Sequence, residues 1–379
     1  MKKYGLLFAL LCTFHLSVNS QSKVTTADSI TSYLERIVKE NKLPGMNFTY
    51  VSDDGWHHDF SVGLTDVEKE IPLTTENTFF SGSIGKTYAA TIIFQLIDEQ
   101  KLAYNQLFKS YFPEIDWLSK LPNIDEITIE MLLTHSSGLP RYVLLPEIWN
   151  QLHENPDKVW NYEDRLSVIF DKEPIHEAGK GFAYSDTNYI LLGMLIEKLT
   201  NKPYYELIQE TILTPYELSS TYPSLQRDMP NLAVGYSKMP KSFMVPNKTV
   251  TDGFYIFNPQ FEWTGGGFAS TVSDLAQWAT IYYTGKLFSD LALKRIQNYS
   301  PEDFKNGKPM VYSMGSFVFN TPHGIAYGHS GFMPGFNSIF MYYPELKIGA
   351  AIQSNCDYVE SKIRLHDLMN QLIGIVKSN

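Results

Sequence analysis

The chain has 379 residues, of which 44% are hydrophobic, and its formal net charge at pH 7 is −10. This length and apolar content indicate a globular protein rather than a disordered one, with room for one large domain or two smaller ones. The acidic balance argues against a nucleic acid as partner, because surfaces that bind nucleic acids are basic.

The N-terminus has the pattern of a secretory signal. Lysines follow Met1, an apolar run occupies residues 4–18, and cleavage after Ser20 suits the pattern. The apolar run is too short to span a bilayer comfortably, and no second candidate follows it. We therefore expect a signal peptide over 1–20, a single domain over 21–379, a secreted or periplasmic location and no integral membrane segment after cleavage.

The cysteines are consistent with that processing. Cys12 lies inside the predicted signal, and Leu11 before it is not the small residue of a lipoprotein signal, so we expect no lipid anchor. Cleavage leaves Cys356 as the remaining cysteine. The mature protein then has no internal disulfide, and its core must stabilise it unaided.

The first elements after the signal are a helix and a hairpin. Residues 27–41 carry apolar side chains at helical spacing, and 46–51 and 56–62 read as strands joined by a turn of composition Ser-Asp-Asp-Gly. His57 and His58 lie in the second strand, where neighbouring side chains point to opposite faces. No Cys/His cluster accompanies them, so we expect neither a metal site nor a cofactor.

A serine and a lysine stand at the start of the next predicted helix. Ser83 and Lys86 are three residues apart, so they lie on one helical face and the amine can reach the hydroxyl. A serine needs such a base, or an environment that stabilises its alkoxide, to act as a nucleophile. A Ser-x-x-Lys tetrapeptide alone more often marks an ordinary solvated helix start.

Two related motifs are excluded around Ser83. A phosphate-binding loop requires a glycine six residues before the lysine, where Phe80 stands. A Gly-x-Ser-x-Gly nucleophile elbow requires a glycine where Ser81 stands. Each motif fails at one required glycine.

The middle of the chain reads as mostly helical. A short helix over 128–135 ends at a Ser-Ser-Gly-Leu-Pro turn, and residues 141–180 form an aromatic-rich insertion. Tyr184 then precedes a nearly all-apolar, buried helix for which Asp186 or Thr187 is a good N-cap. Tyr184 is either a packed aromatic residue or a phenol that enters the serine's cleft and exchanges a proton with the lysine.

The C-terminal part returns to strands. Residues 219–261 lack periodicity and could wall a cleft, a helix is predicted over 271–283, and a last helix has apolar residues from Leu365 to Val376. The predicted strands are 311–320, 325–329, 338–343 and 348–354.

These elements predict an α/β protein of the α+β kind. One antiparallel sheet takes the first hairpin and the C-terminal strands, and helices from both termini flank it. The sheet lobe covers about 27–80 and 265–379, a mostly helical lobe covers about 83–260, and a cleft lies between them.

A third candidate segment is His329-Ser330-Gly331, at the end of a predicted strand and directly before Phe332. A strand edge can direct a backbone N–H toward a substrate carbonyl, and glycine permits close approach. The imidazole adds a donor or a titrating group. A lone histidine is more often structural.

These three segments in this order resemble the active-site motifs of the serine β-lactamase and penicillin-binding protein superfamily. The resemblance is to the branch of class C β-lactamases, D-alanyl-D-alanine carboxypeptidases, D-aminopeptidases and related esterases, and it runs from about Ile30 to Asn355. Supporting stretches are 132–140, 184–193 and 266–271.

The resemblance implies a role for each motif. Ser83 attacks a carbonyl and becomes acylated, Lys86 and Tyr184 exchange the proton, and the backbone N–H groups of Ser83 and Phe332 hold the oxyanion. Water then releases the acyl group. The substrate-binding and oxyanion residues implied are His329, Ser330, Gly331, Phe332 and Asp186.

The sequence departs from the β-lactamase pattern at two positions. His329 replaces the lysine of Lys-Thr-Gly, so a permanent cation gives way to a group expected to be charged only below about pH 6.5. Efficient β-lactamase activity is therefore not expected. Asp186 replaces the usual Asn and should raise the pKa of Lys86 if its side chain points inward. If Asp186 caps the helix instead, the site is little disturbed.

The sequence thus predicts a secreted serine hydrolase that works through an acyl-enzyme on D-amino-acid-containing peptides or amides. One alternative is an esterase acting on small acyl esters. Another is a penicillin-binding or inactive sensor protein that keeps the fold.

Overall fold

The computed structural model describes residues 25–300, 302, 304 and 307–378. The predicted signal peptide over residues 1–20 lies outside them. No helix within the described part of the chain has the length and hydropathy needed to cross a bilayer.

The helices are distributed over the whole described chain. In chain order they are α1 (Thr26–Asn41), α2 (Lys86–Asp98), α3 (Ile129–Leu133), α4 (Pro146–Glu154), α5 (Tyr162–Leu166), α6 (Asp186–Thr200), α7 (Tyr204–Ile208), α8 (Val272–Tyr283), α9 (Asp290–Ile296) and α10 (Leu365–Lys377). Short 3₁₀ turns separate many of them, and one of these, Gly82–Gly85, leads directly into α2.

The strands lie mainly near the two ends of the chain. They are β1 (Gly45–Val51), β2 (His57–Asp66), β3 (Ile71–Pro72), β4 (Phe79–Phe80), β5 (Thr221–Pro223), β6 (Val250–Thr251), β7 (Phe254–Tyr255), β8 (Phe268–Ser270), β9 (Met310–Tyr312), β10 (Phe317–Thr321), β11 (Gly324–Met333), β12 (Phe336–Tyr343) and β13 (Ile348–Ser354).

The main sheet is antiparallel and joins the two ends of the chain, as predicted. Its strand order is β3-β2-β1-β13-β12-β11-β10-β9, so the C-terminal β13 pairs with the N-terminal β1. The first hairpin is confirmed, with Met46 opposite Val62. Smaller sheets, β4-β8-β5 and β6-β7, lie outside the main one.

Helices cover both faces of the main sheet. On one face α1 and α10 enclose an apolar core that includes Leu34, Phe48 and Leu372. A capping box at Thr25 and Asp28 begins α1 by satisfying N–H groups that the first turn leaves free. On the other face α8 packs against β1, β12 and β13, and a larger core continues from there into the helices of the middle region.

Two strand predictions were wrong in their bounds. The predicted strand 311–320 is divided into β9 and β10, because Gly315 has a positive φ of 67° and Ser313 N–H donates to Ser316 O at 2.8 Å across a turn. The strand predicted to end at His329 continues to Met333. His329 therefore lies inside β11 and not at a strand end, because pairing with β12 extends four residues further.

Candidate active site

Ser83 lies in the 3₁₀ turn just before α2, and Lys86 is the first residue of that helix. Gly82 begins the turn with φ 49°, a conformation that glycine adopts without the steric cost of a side chain. The turn brings the serine and the lysine together, with Lys86 Nζ 2.9 Å from Ser83 Oγ. The sequence spacing predicted this contact.

The amine of Lys86 is fully buried and fully hydrogen-bonded. It donates to Ser83 Oγ at 2.9 Å, to Asp186 Oδ1 at 2.5 Å and to the Gly265 carbonyl at 2.5 Å. Three acceptors match the three N–H bonds of an ammonium group. The resting geometry therefore suits a protonated lysine.

Asp186 points into the site and does not cap its helix. The N-cap of α6 is Ser185, with extended backbone angles, and the Thr187 hydroxyl donates to Pro140 O at 2.6 Å. The prediction that Asp186 or Thr187 forms the N-cap was wrong, because both side chains bind groups from distant segments instead. The two carboxylate oxygens of Asp186 accept from Lys86 and from Arg141 Nε, each at 2.5 Å.

This arrangement sets the protonation of Lys86 and Asp186. Burial opposes the charge on Lys86, but the adjacent Asp186 carboxylate outweighs it and raises the lysine pKa above its ordinary value. Burial likewise opposes the charge on Asp186, but Arg141 and Lys86 hold its pKa far below the usual range. The inward-pointing alternative for Asp186 is thus confirmed.

Tyr184 borders the same amine. Lys86 Nζ lies 5.1 Å from the centre of the Tyr184 ring, and the His135 ring packs against the same tyrosine at 4.2 Å between centroids. Burial raises the pKa of the Tyr184 phenol, while the charge on Lys86 and the nearby Ser83 hydroxyl lower it. The phenol oxygen is buried, and within the described residues no group meets the geometric criteria of a hydrogen bond to it.

His329 is buried and uncharged. Its Nδ1 lies 2.6 Å from Ser330 O, and burial together with the charge on Lys86 lowers its pKa to about 3. The expectation of a histidine that becomes charged below about pH 6.5 was therefore wrong. A buried imidazole close to an ammonium group cannot take up a proton at an exposed histidine's pKa.

The backbone of β11 runs beside the serine turn. The two-residue turn Pro334-Gly335 closes the β11–β12 hairpin at the pair Met333 and Phe336, so the next pair, Phe332 and Asn337, is of the non-hydrogen-bonded kind. Pairing with β10 has already ended at Gly328. The Phe332 N–H therefore points out of the sheet edge, away from β12.

Glycines bring this strand edge against the serine. A Cβ on Gly82 would lie 2.5 Å from Phe332 N, and one on Gly331 would lie 1.8 Å from Ser81 O. Glycine at both positions lets the strand and the turn make direct backbone contact. The Phe332 N–H is thereby held against Gly82, the residue that precedes Ser83.

Two cavities meet at Ser83, Arg141 and Phe332. The His329 cavity has a volume of about 290 Å³ and is also lined by Tyr184, Phe317, His329, Ser330, Gly331 and Glu360. The Glu262 cavity has a volume of about 320 Å³ and is also lined by Val143, Trp149, Met239, Phe243, Phe261 and Glu262. Both have the size of a small-molecule site.

The structure brings together all of the predicted residues and adds three. Arg141, His135 and Glu262 were not predicted, although the first two lie in or directly after a stretch that supported the family resemblance. No motif marks Glu262, whose place in the cavity depends on the irregular backbone of residues 259–265. The wall predicted from residues 219–261 includes Met239, Phe243 and Phe261.

The fold and the three segments define a protein of the serine β-lactamase and penicillin-binding protein superfamily. The chain belongs to the Beta-lactamase family, whose model matches residues 30–372. The predicted superfamily and the predicted fold class are both confirmed.

Individual relatives are distant. A penicillin-binding protein of Bacillus subtilis (strain 168) is 26% identical over 299 residues, which are 76% of this chain and 62% of that protein. A Beta-lactamase of Providencia stuartii is 24% identical over 83% of this chain and 73% of its own length. The chain thus spans less than two thirds of the Bacillus relative.

Solved structures share the fold. A D-stereospecific amidohydrolase from Streptomyces superposes with a TM-score of 0.74 at 23% identity, covering 88% of this chain and 98% of that one. A D-amino acid amidase from Ochrobactrum anthropi SV3 gives 0.77 at 20% identity, covering 93% and 99%.

Proposed function

We propose that this protein is a secreted or periplasmic serine hydrolase that forms an acyl-enzyme on amides and peptides of D-amino acids. The observation that carries the proposal is the buried Lys86 amine 2.9 Å from Ser83 Oγ, at the meeting point of two cavities. A serine hydroxyl, a titratable amine and the backbone of Phe332 at this point support the proposal.

In the proposed mechanism Ser83 Oγ attacks the substrate carbonyl and gives its proton to the Lys86–Tyr184 pair. The pair must first lose one proton, since Lys86 is an ammonium group at rest with its pKa raised. The N–H groups of Ser83 and Phe332 bind the oxyanion. Tyr184 then protonates the leaving amine, and a water molecule hydrolyses the acyl-serine by the reverse sequence.

The neutral state of His329 supports a substrate whose end in the His329 cavity carries no charge. The pKa of His329 is lowered to about 3, so this residue supplies no cation for the carboxylate of a β-lactam or of a C-terminal peptide. Amides need no such cation. The D-amino acid amidase among the structural neighbours is consistent with that choice.

Intact-protein mass spectrometry tests the proposal. Wild type and Ser83→Ala are each incubated with D-phenylalanine amide, a D-Ala-D-Ala peptide, a p-nitrophenyl ester and a fluorescent penicillin. We expect an adduct or turnover with the wild type, and losses of several powers of ten with Ser83→Ala. Absence of any reaction, or equal reaction of the variant, would contradict the proposal.

An esterase is the second candidate, because a neutral His329 and an apolar cavity also suit a simple acyl ester. The same experiment separates the candidates. Turnover of the p-nitrophenyl ester alone identifies an esterase. Stable labelling by penicillin without turnover of any substrate identifies a penicillin-binding protein.

A further inference from the structure

The proposed mechanism gives no role to Glu262, a polar residue that lines the Glu262 cavity. Among the residues that the structure describes, none donates a hydrogen bond to its carboxylate or forms an ion pair with it. Burial raises the pKa of Glu262 to about 8, although Lys86 and Arg141 act to lower it. A partly buried carboxyl group without a partner costs free energy, which a complementary ligand would recover.

The carboxylate lies close to the nucleophile. A Cβ on Gly266 would lie 2.7 Å from Glu262 Oε2 and also 2.7 Å from the carbonyl carbon of Gly82. Because both atoms lie that close to one point, Glu262 Oε2 and the peptide bond preceding Ser83 are at most about twice that distance apart. A group near the carbonyl of an acyl-serine is therefore within reach of Glu262.

The Glu262 cavity is on the acyl side of the site. Tyr184, the proposed proton donor to the leaving group, lines the His329 cavity and not the Glu262 cavity. The leaving group must contact that donor, so it occupies the His329 cavity. The acyl part of the substrate therefore occupies the Glu262 cavity.

We propose that Glu262 binds a free α-ammonium group on the acyl part of the substrate, so that the enzyme selects aminoacyl amides and esters over acyl groups that lack the amine. This inference rests on the proposed function and adds the chemistry of the acyl group. The α-nitrogen of an aminoacyl-serine is attached next to the acylated carbonyl, in the cavity that Ser83 and Glu262 line together. An ammonium–carboxylate contact is among the stronger kinds of hydrogen bond.

The rest of the cavity suits a large apolar side chain. Trp149 and Phe243 meet edge to face at 5.1 Å between centroids, and Val143, Met239 and Phe261 complete the wall. The preferred acyl group is therefore that of an aromatic or large aliphatic amino acid. Burial of such a side chain adds a favourable hydrophobic contribution to the free energy of binding, beside that of the polar contact.

The other two charged groups of the cavity, Arg141 and Asp186, are already paired with each other. Arg141 Nε donates to Asp186 Oδ2 at 2.5 Å, and this carboxylate also holds Lys86. Arg141 could otherwise bind an acidic acyl group. Arg141 already has a carboxylate partner and Glu262 has no hydrogen-bond partner, so the cavity favours an ammonium ligand, which would hold Glu262 in its ionised form, over a carboxylate ligand.

The inference is tested on the full chain with the p-nitrophenyl esters of three acids. These are D-phenylalanine, 3-phenylpropionic acid, which lacks only the amine, and glutaric acid, which adds a second carboxylate. Values of kcat/KM are compared after subtraction of the uncatalysed rate. We expect the wild type to prefer the D-phenylalanine ester over 3-phenylpropionate by about tenfold or more, as one charge-assisted hydrogen bond implies. Glu262→Gln should bring that ratio close to one.

Glu360→Gln is the matched control, because Glu360 lines the His329 cavity and its pKa is also raised by burial. Its ratio should stay that of the wild type, whatever its rate. A wild type without the preference, a preference retained by Glu262→Gln, or fastest turnover of the glutarate ester would overturn the inference alone. No turnover of any ester and no mass adduct would remove the proposed function as well. The wild-type comparison stands even if the variant does not fold.

Discussion

Asp186 is the residue that connects the charged groups of the site. Its two oxygens hold Lys86 and Arg141, and its negative charge raises the pKa of Lys86 and of Tyr184. Where the related β-lactamase pattern has a neutral Asn, this chain keeps its lysine protonated at rest. The working form of the Lys86–Tyr184 pair should therefore become abundant only as pH rises.

Asp186→Asn should shift the acidic limb of the pH profile of kcat/KM to lower pH. The substitution removes the charge that raises both pKa values, so the deprotonated pair forms at lower pH. The profile is measured with the best ester or amide, since kcat/KM reports the titration of the free enzyme.

Asp66→Asn is the control for that shift. Asp66 is also a buried aspartate paired with a lysine, Lys248, at 3.2 Å, but it lies outside both cavities. Its profile should match the wild type. A limb that stays in place in Asp186→Asn, or that moves to higher pH, would show that this carboxylate does not control the base.

At the scale of elements, strand β11 and the turn before α2 form one unit. Backbone meets backbone at Gly331 and Ser81, and at Gly82 and Phe332. The hairpin register leaves the Phe332 N–H free of β12 and directed at this contact. The position of the proposed oxyanion donor thus depends on two residues having no side chain.

Gly331→Ala should lower kcat strongly while leaving most of the fold intact. Its Cβ would lie 1.8 Å from Ser81 O, so the strand edge must move away from the turn and carry the Phe332 N–H with it. Loss of one oxyanion donor costs about 100-fold or more in kcat. The melting temperature, measured alongside, separates local displacement from unfolding.

Gly374→Ala on α10 is the comparison, because a Cβ there would meet its nearest side chain at an ordinary 3.6 Å. It should keep wild-type kcat, and its melting temperature should be unchanged or slightly higher, since alanine favours helix. Wild-type kcat in Gly331→Ala would argue that Phe332 is not an oxyanion donor.

At the scale of the molecule, stability comes from two apolar cores on the faces of one sheet. Cys356 is free and buried among the described residues, so no disulfide there contributes. These cores and their interface bury His135 and His329 as neutral groups, with pKa values below the ordinary 6.5. The unfolded chain can protonate both histidines more readily than the folded chain.

The free energy of unfolding should therefore fall as pH drops below about 6.5 toward 3, the range between the unfolded and folded pKa of His329. Over that range the unfolded state binds protons more tightly than the folded state. Above that range the contribution of the neutral histidine to the free energy of unfolding is fully present. Urea unfolding at pH 7 and pH 5 measures the loss, which should be smaller in His329→Asn. In the exposed His58→Asn it should match the wild type, and equal losses in all three proteins would contradict this account.

Much of the fold and the centre of the site were predictable because they depend on local spacing. Ser83 and Lys86 meet because three residues separate them, and the first hairpin forms because two strand patterns flank a turn. The β9–β10 turn and the extension of β11 escaped prediction, since a positive φ at Gly315 and pairing with a distant strand decided them.

The sequence by itself determined the nucleophile, its amine, the order of the three segments and the antiparallel sheet that joins the two ends of the chain. The tertiary structure alone decided the charges: the inward carboxylate of Asp186, the neutral His329, and the presence of Arg141 and Glu262 in the cavities. A protonation state depends on burial and on neighbours from distant segments, and neither is encoded in the spacing of residues along the chain.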